Sequence, residues 1–141
     1  RFFENGAKII CGVRVKKPSF YYTEEEYYGS RALNFIKTER INLKYLAGIL
    51  NSKLTFFWLK NRGKQLGDLL QVDKGPLLEI PIFVGDIKKQ KEIIDIVSNI
   101  VFAKKQNIKV DTSDLEKQID ELVYKLYGLT DDEIKIVKDQ K

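Results

Sequence analysis

At 141 residues, 43% hydrophobic and 32% charged, the chain is long enough for one domain or one domain with an appendage, and too apolar for a disordered chain. Its net charge of +5 is uneven: residues 1–84 carry 14 Lys/Arg against 8 Asp/Glu, a net of +6, while residues 85–141 carry 11 against 12, a net of −1. A lone cysteine excludes an internal disulfide, no apolar run approaches the roughly 18–20 residues of a membrane span, and the absence of histidine removes the commonest general base and metal ligand.

The chain opens RFFENG, has no signal peptide and contains no Met, which reads as a segment of a longer polypeptide. Lys8–Val15 (KIICGVRV) is β-rich, with a Gly that could mark a bulge, and Cys11 sits inside it as a buried structural thiol. Lys16-Lys17-Pro18-Ser19 breaks this run. Phe20-Tyr21-Tyr22 reads as a second short strand, Thr23–Glu26 as a polar turn, Tyr27-Tyr28 as the start of a third strand, and Ala32–Ile36 as its successor. Together they suggest a small antiparallel meander.

Ile41–Asn61 carries Leu46, Ile49, Leu50, Leu54, Phe57 and Trp58 on one face of a 3.6-residue period. This predicts a single helix laid on the sheet, with Asn42 as N-cap and Asn61-Arg62-Gly63 as its stop. Phe56 is the large residue off that stripe, and could face a neighbouring domain. Arg62–Asp68 (RGKQLGD) reads as a mobile basic loop, Leu69–Val72 as a short strand, Asp73–Glu79 as one helical turn, and Ile80–Val84 as an edge or terminal strand because of Pro81.

The last third predicts helices. Lys88–Gln106 carries Ile93, Val97, Ile100 and Ala103 or Lys104 near a heptad seam. A second helix begins at Thr112/Ser113 with a capping box Ser113-Asp-Leu-Glu116, and its seam is Leu115, Ile119, Leu122 and Leu126. The short linker predicts an antiparallel pair. Gly128 ends the second helix, and Thr130-Asp-Asp-Glu133 caps a short final one.

This segment is not expected to be catalytic itself. There is no G-x-x-x-x-G-K loop and no G-x-S-x-G elbow, and Ser30 and Ser52 have no imidazole to activate them. Glu133-Ile-Lys135 is better explained as a capped helix surface than as a metal-nuclease element, and Glu24-Glu25-Glu26 as an exposed turn than as a cation site. The notable residues combine cations with aromatics in the basic part. Arg14, Lys16 and Lys17 end the first strand; Tyr21, Tyr22, Tyr27 and Tyr28 surround the turn; Arg31, Arg62, Lys64, Gln65 and Lys74 lie in later loops. Lys and Arg anchor phosphates, Arg and Gln read base edges bidentately, and Tyr stacks on bases or bonds phosphates.

The order of segments resembles a known family. KYLAGILNSKLTFFWLK (44–60), a Gly-rich basic loop, KGPLLEIPIF (74–83), a helix, and DLEKQIDELVYKLYGLTDDEIKIV (114–137) are similar to the TaqI-like C-terminal specificity domain, and KKPSFYYTEEEYYG (16–29) looks like its early segment. That domain follows the methyltransferase part of restriction–modification enzymes and adenine-specific DNA methyltransferases. The resemblance implies recognition of a specific duplex sequence, so that a neighbouring domain can flip and methylate an adenine, or cleave. It implies double-stranded DNA and a methyltransferase domain, of the same or a partner chain, as partners. No cofactor is expected in this segment; S-adenosylmethionine, with Mg2+ as a further candidate, is expected in the parent enzyme.

The expected fold class is α+β: a small, mostly antiparallel sheet with a packed helix over residues 1–84, the recognition globule, followed by an antiparallel helical hairpin over 85–141, a spacer or assembly element. Phosphate contacts are expected from Lys16, Lys17, Lys64 and Lys74, and base contacts from Arg14, Arg31, Arg62 or Gln65, with Tyr21, Tyr22 and Tyr28 beside them. The setting is expected to be cytoplasmic, away from any membrane. The competing expectation is a helical protein-interaction module whose Ile/Leu seam is the active surface and which makes no direct DNA contact.

Overall fold

The computed structural model describes residues 7–12, 14–15, 20–24, 33–36, 41–62, 64–66, 69–71, 79–84 and 86–139, with the backbone alone for residues 14–15, 33–35, 62, 64–66 and 69–71. Within these residues the fold is α+β, as expected. Two three-stranded antiparallel sheets precede three helices, with a broken helical segment between their strands. The expected strand at Tyr27-Tyr28 and most of the turn at Asp73–Glu79 lie outside the described residues.

The β-rich run Lys8–Val15 is two strands in two sheets. β1 (Lys8–Gly12) sits at the centre of the first sheet, between β3 (Tyr21–Thr23) and β4 (Leu33–Ile36), with Ile9 opposite both Tyr22 and Ile36. β2 (Arg14–Val15) belongs to the second sheet, where it pairs with β6 (Leu69–Gln71), which also pairs with β5 (Lys64–Leu66). Cys11 is buried, as expected.

The segment expected as one helix is two: α1 (Leu43–Leu50) and α2 (Lys53–Arg62). Asn42 is the N-cap of α1, its side chain accepting from the backbone N–H of Lys44 and Tyr45. The break at Asn51-Ser52 is held by bonds within the segment and by bonds to a distant strand. The Ser52 hydroxyl donates to the Ile49 carbonyl at 2.7 Å and the Thr55 hydroxyl donates to the same oxygen at 2.6 Å, in place of the continuing backbone ladder. Asn51 turns its amide to the backbone of Phe20, donating to its carbonyl and accepting from its N–H, both at 2.7 Å. The side chain thus supplies a two-bond rung that ties the start of β3 to the helical layer. The break also shifts the helical phase. Leu59, off the expected stripe, is the most buried apolar residue of α2, and Phe56 packs on the core under the Lys60 ammonium instead of facing outward.

Residues 80–84 form no ladder, although they read as a strand. Pro81 has no N–H to donate. The stretch is held by phenols instead: Tyr127 Oη donates to the Pro81 carbonyl at 2.7 Å and accepts from the Phe83 N–H at 3.0 Å, while Tyr45 Oη donates to the Phe83 carbonyl. Ile80 is buried in the first core with Ile9, Phe20, Leu46, Leu50 and Leu59.

The remaining helices are α3 (Ile87–Gln106), α4 (Ser113–Leu126) and α5 (Asp131–Lys138). α3 and α4 enclose a second core with α1: Ile93 and Val97 from α3, Ile119, Val123 and Leu126 from α4, and Tyr45 and Ile49 from α1. This core draws on residues from both sides of position 84. The α4 seam runs through Ile119, Val123 and Leu126, with Leu122 half-buried beside it, because α1 lies against that face and needs Val123 there. The capping box expected at Ser113 does not form. Thr112 is the N-cap position and has no side-chain bond to the helix backbone; its hydroxyl donates to Glu116 Oε2 at 2.6 Å, and Ser113 is drawn to Asp111. The box at Thr130 and Glu133 is fully formed, and Gly128, at φ 64°, takes the left-handed conformation after α4. Glu133 is thereby a capping residue, in agreement with its reading from the sequence.

Candidate nucleic-acid interface

The second sheet gathers candidates that lie far apart in the chain. In its register Arg14 is opposite Gln71, and Gln71 is opposite Lys64, so the three occupy one row across β2, β6 and β5. The next row is Val15, Leu70 and Gln65. With strands about 4.8 Å apart, Arg14 and Lys64 lie roughly 10 Å from each other across the central strand. No acidic residue occurs in any of the three strands. Both outer strands start at this row, and α2 ends at Arg62, two residues before Lys64. Arg14 and Lys64 therefore lie at one end of the second sheet, and Arg62 precedes Lys64 by two residues in the chain.

This placement changes the expected character of Lys64 and Gln65. They were expected in a mobile loop; they are strand residues in a ladder with β6. Glycines on both sides and two polar residues in three hide the strand locally, and pairing with Leu69–Gln71 decides its conformation. The register also brings in Gln71, which the sequence reading missed. Its signal was a polar residue closing the short run Leu69-Leu70-Gln71, but its neighbour Arg14 is more than fifty residues away.

The tyrosines belong to the first sheet. Tyr21 is 39% exposed on β3, available for stacking or a phosphate bond. Tyr22 is engaged elsewhere: its ring packs on the core with the Lys44 ammonium 5.5 Å from its centroid, and its hydroxyl donates to Glu24 at 3.0 Å. Burial, then the bond to Glu24 and its charge, push the phenol up to about 12. Lys44 also donates to Ser98 at 3.1 Å, so this cation links the sheet to α3. Tyr21 and Tyr22 border a cleft of about 390 Å³ whose far wall is largely apolar, with Val97, Ile100, Val101 and Ile108. Such a wall suits phosphate poorly. Lys16, Lys17, Tyr28, Arg31 and Lys74 lie outside the described residues. Among the described residues no group of His, Cys, Asp and Glu could hold a metal, and no helix is long and apolar enough to cross a membrane.

Residues 1–82 match the TaqI-like C-terminal specificity domain. The chain belongs to that family. The matched span includes both sheets, α1 and α2, and hence the row of Arg14, Gln71 and Lys64. Two curated relatives of this TaqI-like domain are the type II methyltransferases M.HincII of Haemophilus influenzae and M.HindII of Haemophilus influenzae strain Rd, each 31% identical over 110 residues and 71% of this chain. The chain spans only about a fifth of their length, 22% and 21% respectively.

Proposed function

We propose that this TaqI-like domain recognises a specific duplex DNA sequence and directs an adjacent adenine methyltransferase or endonuclease to it, as part of a restriction–modification enzyme. The observation that carries the reading is the register row that sets Arg14 and Lys64 on either side of Gln71, with Arg62 two residues before Lys64, inside the span that matches the specificity family. Such cations attract polyanions. Arg14, Arg31, Arg62 and Gln65 are the candidates for base contacts, and Lys16, Lys17, Lys64 and Lys74 for phosphates, and Tyr21, exposed on the first sheet, is the candidate for stacking. Tyr28 is a further candidate. S-adenosylmethionine belongs to the neighbouring methyltransferase domain in this reading, and no residue of this chain is assigned to it. A lone buried thiol accords with a reducing, cytoplasmic setting.

The competing reading, a helical module binding proteins through its Ile/Leu seam, is disfavoured by the second core. Ile93, Val97, Ile119 and Val123 pack with Tyr45 and Ile49 from α1, so much of that seam is spent on the chain's own core.

Titration against duplex DNA over a range of salt separates the two. Neutralisation of about four phosphates by the four lysines predicts that log K falls with log salt with a slope of roughly −3 to −4. Binding that does not respond to salt, or none at low salt, would remove the DNA reading. Within it, Arg62→Ala should relax preference at one base pair by about 1–3 kcal/mol.

A further inference from the structure

The register of the second sheet assigns a role to a residue not among the readers above. We infer that Gln71 is a specificity-determining residue that reads a base edge, with Arg14 and Lys64 holding the duplex on either side; this rests on the target-recognition reading. The central strand β6 places Gln71 directly between two cations, at a single register position. The roughly 10 Å between the outer positions is close to the width of the major groove, about 12 Å. A row of that span, laid across the groove, sets its outer cations near the two phosphate walls and its centre over the base pairs. The residue types fit those places. Arg and Lys neutralise phosphate, whereas a neutral amide adds little there. An amide over base edges offers a donor and an acceptor side by side, the pattern that pairs bidentately with the N6 and N7 edge of adenine. Position also matters mechanically. A site on a central strand, paired on both edges, holds its geometry better than one on a loop.

The test is selection from a randomised duplex pool by the whole chain and by Gln71→Leu and Gln71→Glu, with the unfolding temperature of each recorded. The wild-type chain is expected to enrich a sequence in which one position is adenine. Gln71→Leu, of similar size but without hydrogen bonds, should lose discrimination at that position by roughly 5- to 150-fold and keep the others. Gln71→Glu should move the same position toward cytosine, whose N4 amine donates to a carboxylate. Should Gln71→Leu fail to fold, Gln71→Glu carries the same readout with nearly equal volume. Variants that enrich the wild-type sequence with unchanged stringency overturn the inference while leaving the domain's recognition role intact. Uniform loss across all positions, at an unchanged unfolding temperature, makes Gln71 a backbone holder and overturns it too. A wild-type chain that enriches no sequence overturns the recognition reading and the inference together.

Discussion

The Asp120 carboxylate accepts a hydrogen bond from the backbone N–H of Lys53 at 2.8 Å, across 67 residues of sequence. Asp120 lies on α4 and Lys53 is the first residue of α2, so an acid from the helical tail sits at the N-terminus of a helix in the family-matched part. There it satisfies a donor that has no partner within its own helix, and it meets the positive end of the helix dipole. α2 leads through Arg62 into β5 and Lys64. The tail is thereby tied to the helix that precedes β5.

Asp120→Ala should cost about 1–3 kcal/mol, because the carboxylate is nearly buried and its loss leaves the Lys53 N–H unpaired. Asp120→Asn, whose amide oxygen can still accept, should cost less. Urea unfolding of the two variants beside the wild type checks the order. Equal midpoints for all three would mean that water replaces the carboxylate freely.

At Gly48, α1 packs tightly against α3. A Cβ there would lie 2.5 Å from Ile93 Cγ2 and 3.1 Å from Val97 Cγ2. In a helix Ala is favoured over Gly by up to about 1 kcal/mol, but overpacking a filled core costs about 1–3 kcal/mol. Ile93 is 1% exposed and has little room to yield, so the second effect should win. Gly48→Ala should lower stability in the wild-type background and lower it less, or raise it, in an Ile93→Ala background. A double-mutant cycle by chemical denaturation measures this coupling.

Three phenols make the fold sensitive to alkali. Burial raises Tyr22, Tyr45 and Tyr124 to about 12, with Glu24 adding to the first, Tyr127 to the second, and Asp120 and Glu121 to the third. The unfolded chain loses these protons near pH 10, before the folded one does. Below pH 10 all are protonated in both states and contribute no slope. From about pH 10 to 12 the unfolded state binds fewer protons, so stability falls as pH rises. Denaturant midpoints across this window should show the fall, and Tyr45→Phe should make it shallower; an unchanged slope in that variant would contradict its share.

How much of this was legible in the sequence depends on how local each cause is. The caps at Asn42 and Thr130 and the end of α4 at Gly128 are set by a few adjacent residues, and the sequence reading located them. The helix over 41–61 was legible as helical but not as broken, because the break depends on Asn51 finding the backbone of Phe20, 31 residues away. The 80–84 stretch is apolar and β-rich, yet its partners are two phenols, one of them more than forty residues distant. At the site, the sequence supplied the residue types Arg14, Arg62 and Lys64. That Arg14 and Lys64 share a row required a strand register that joins residues 14, 64 and 71, and Gln71 became a candidate only there.

The recognition claim is tested most directly by comparing the dissociation constants of the whole chain for its enriched duplex and for a scrambled duplex of equal length and composition, at one salt concentration. Phosphate contacts are common to both, so the ratio isolates base reading. The account predicts tighter binding to the enriched duplex by at least about tenfold, or about 1.4 kcal/mol. Equal constants for the two duplexes would contradict it.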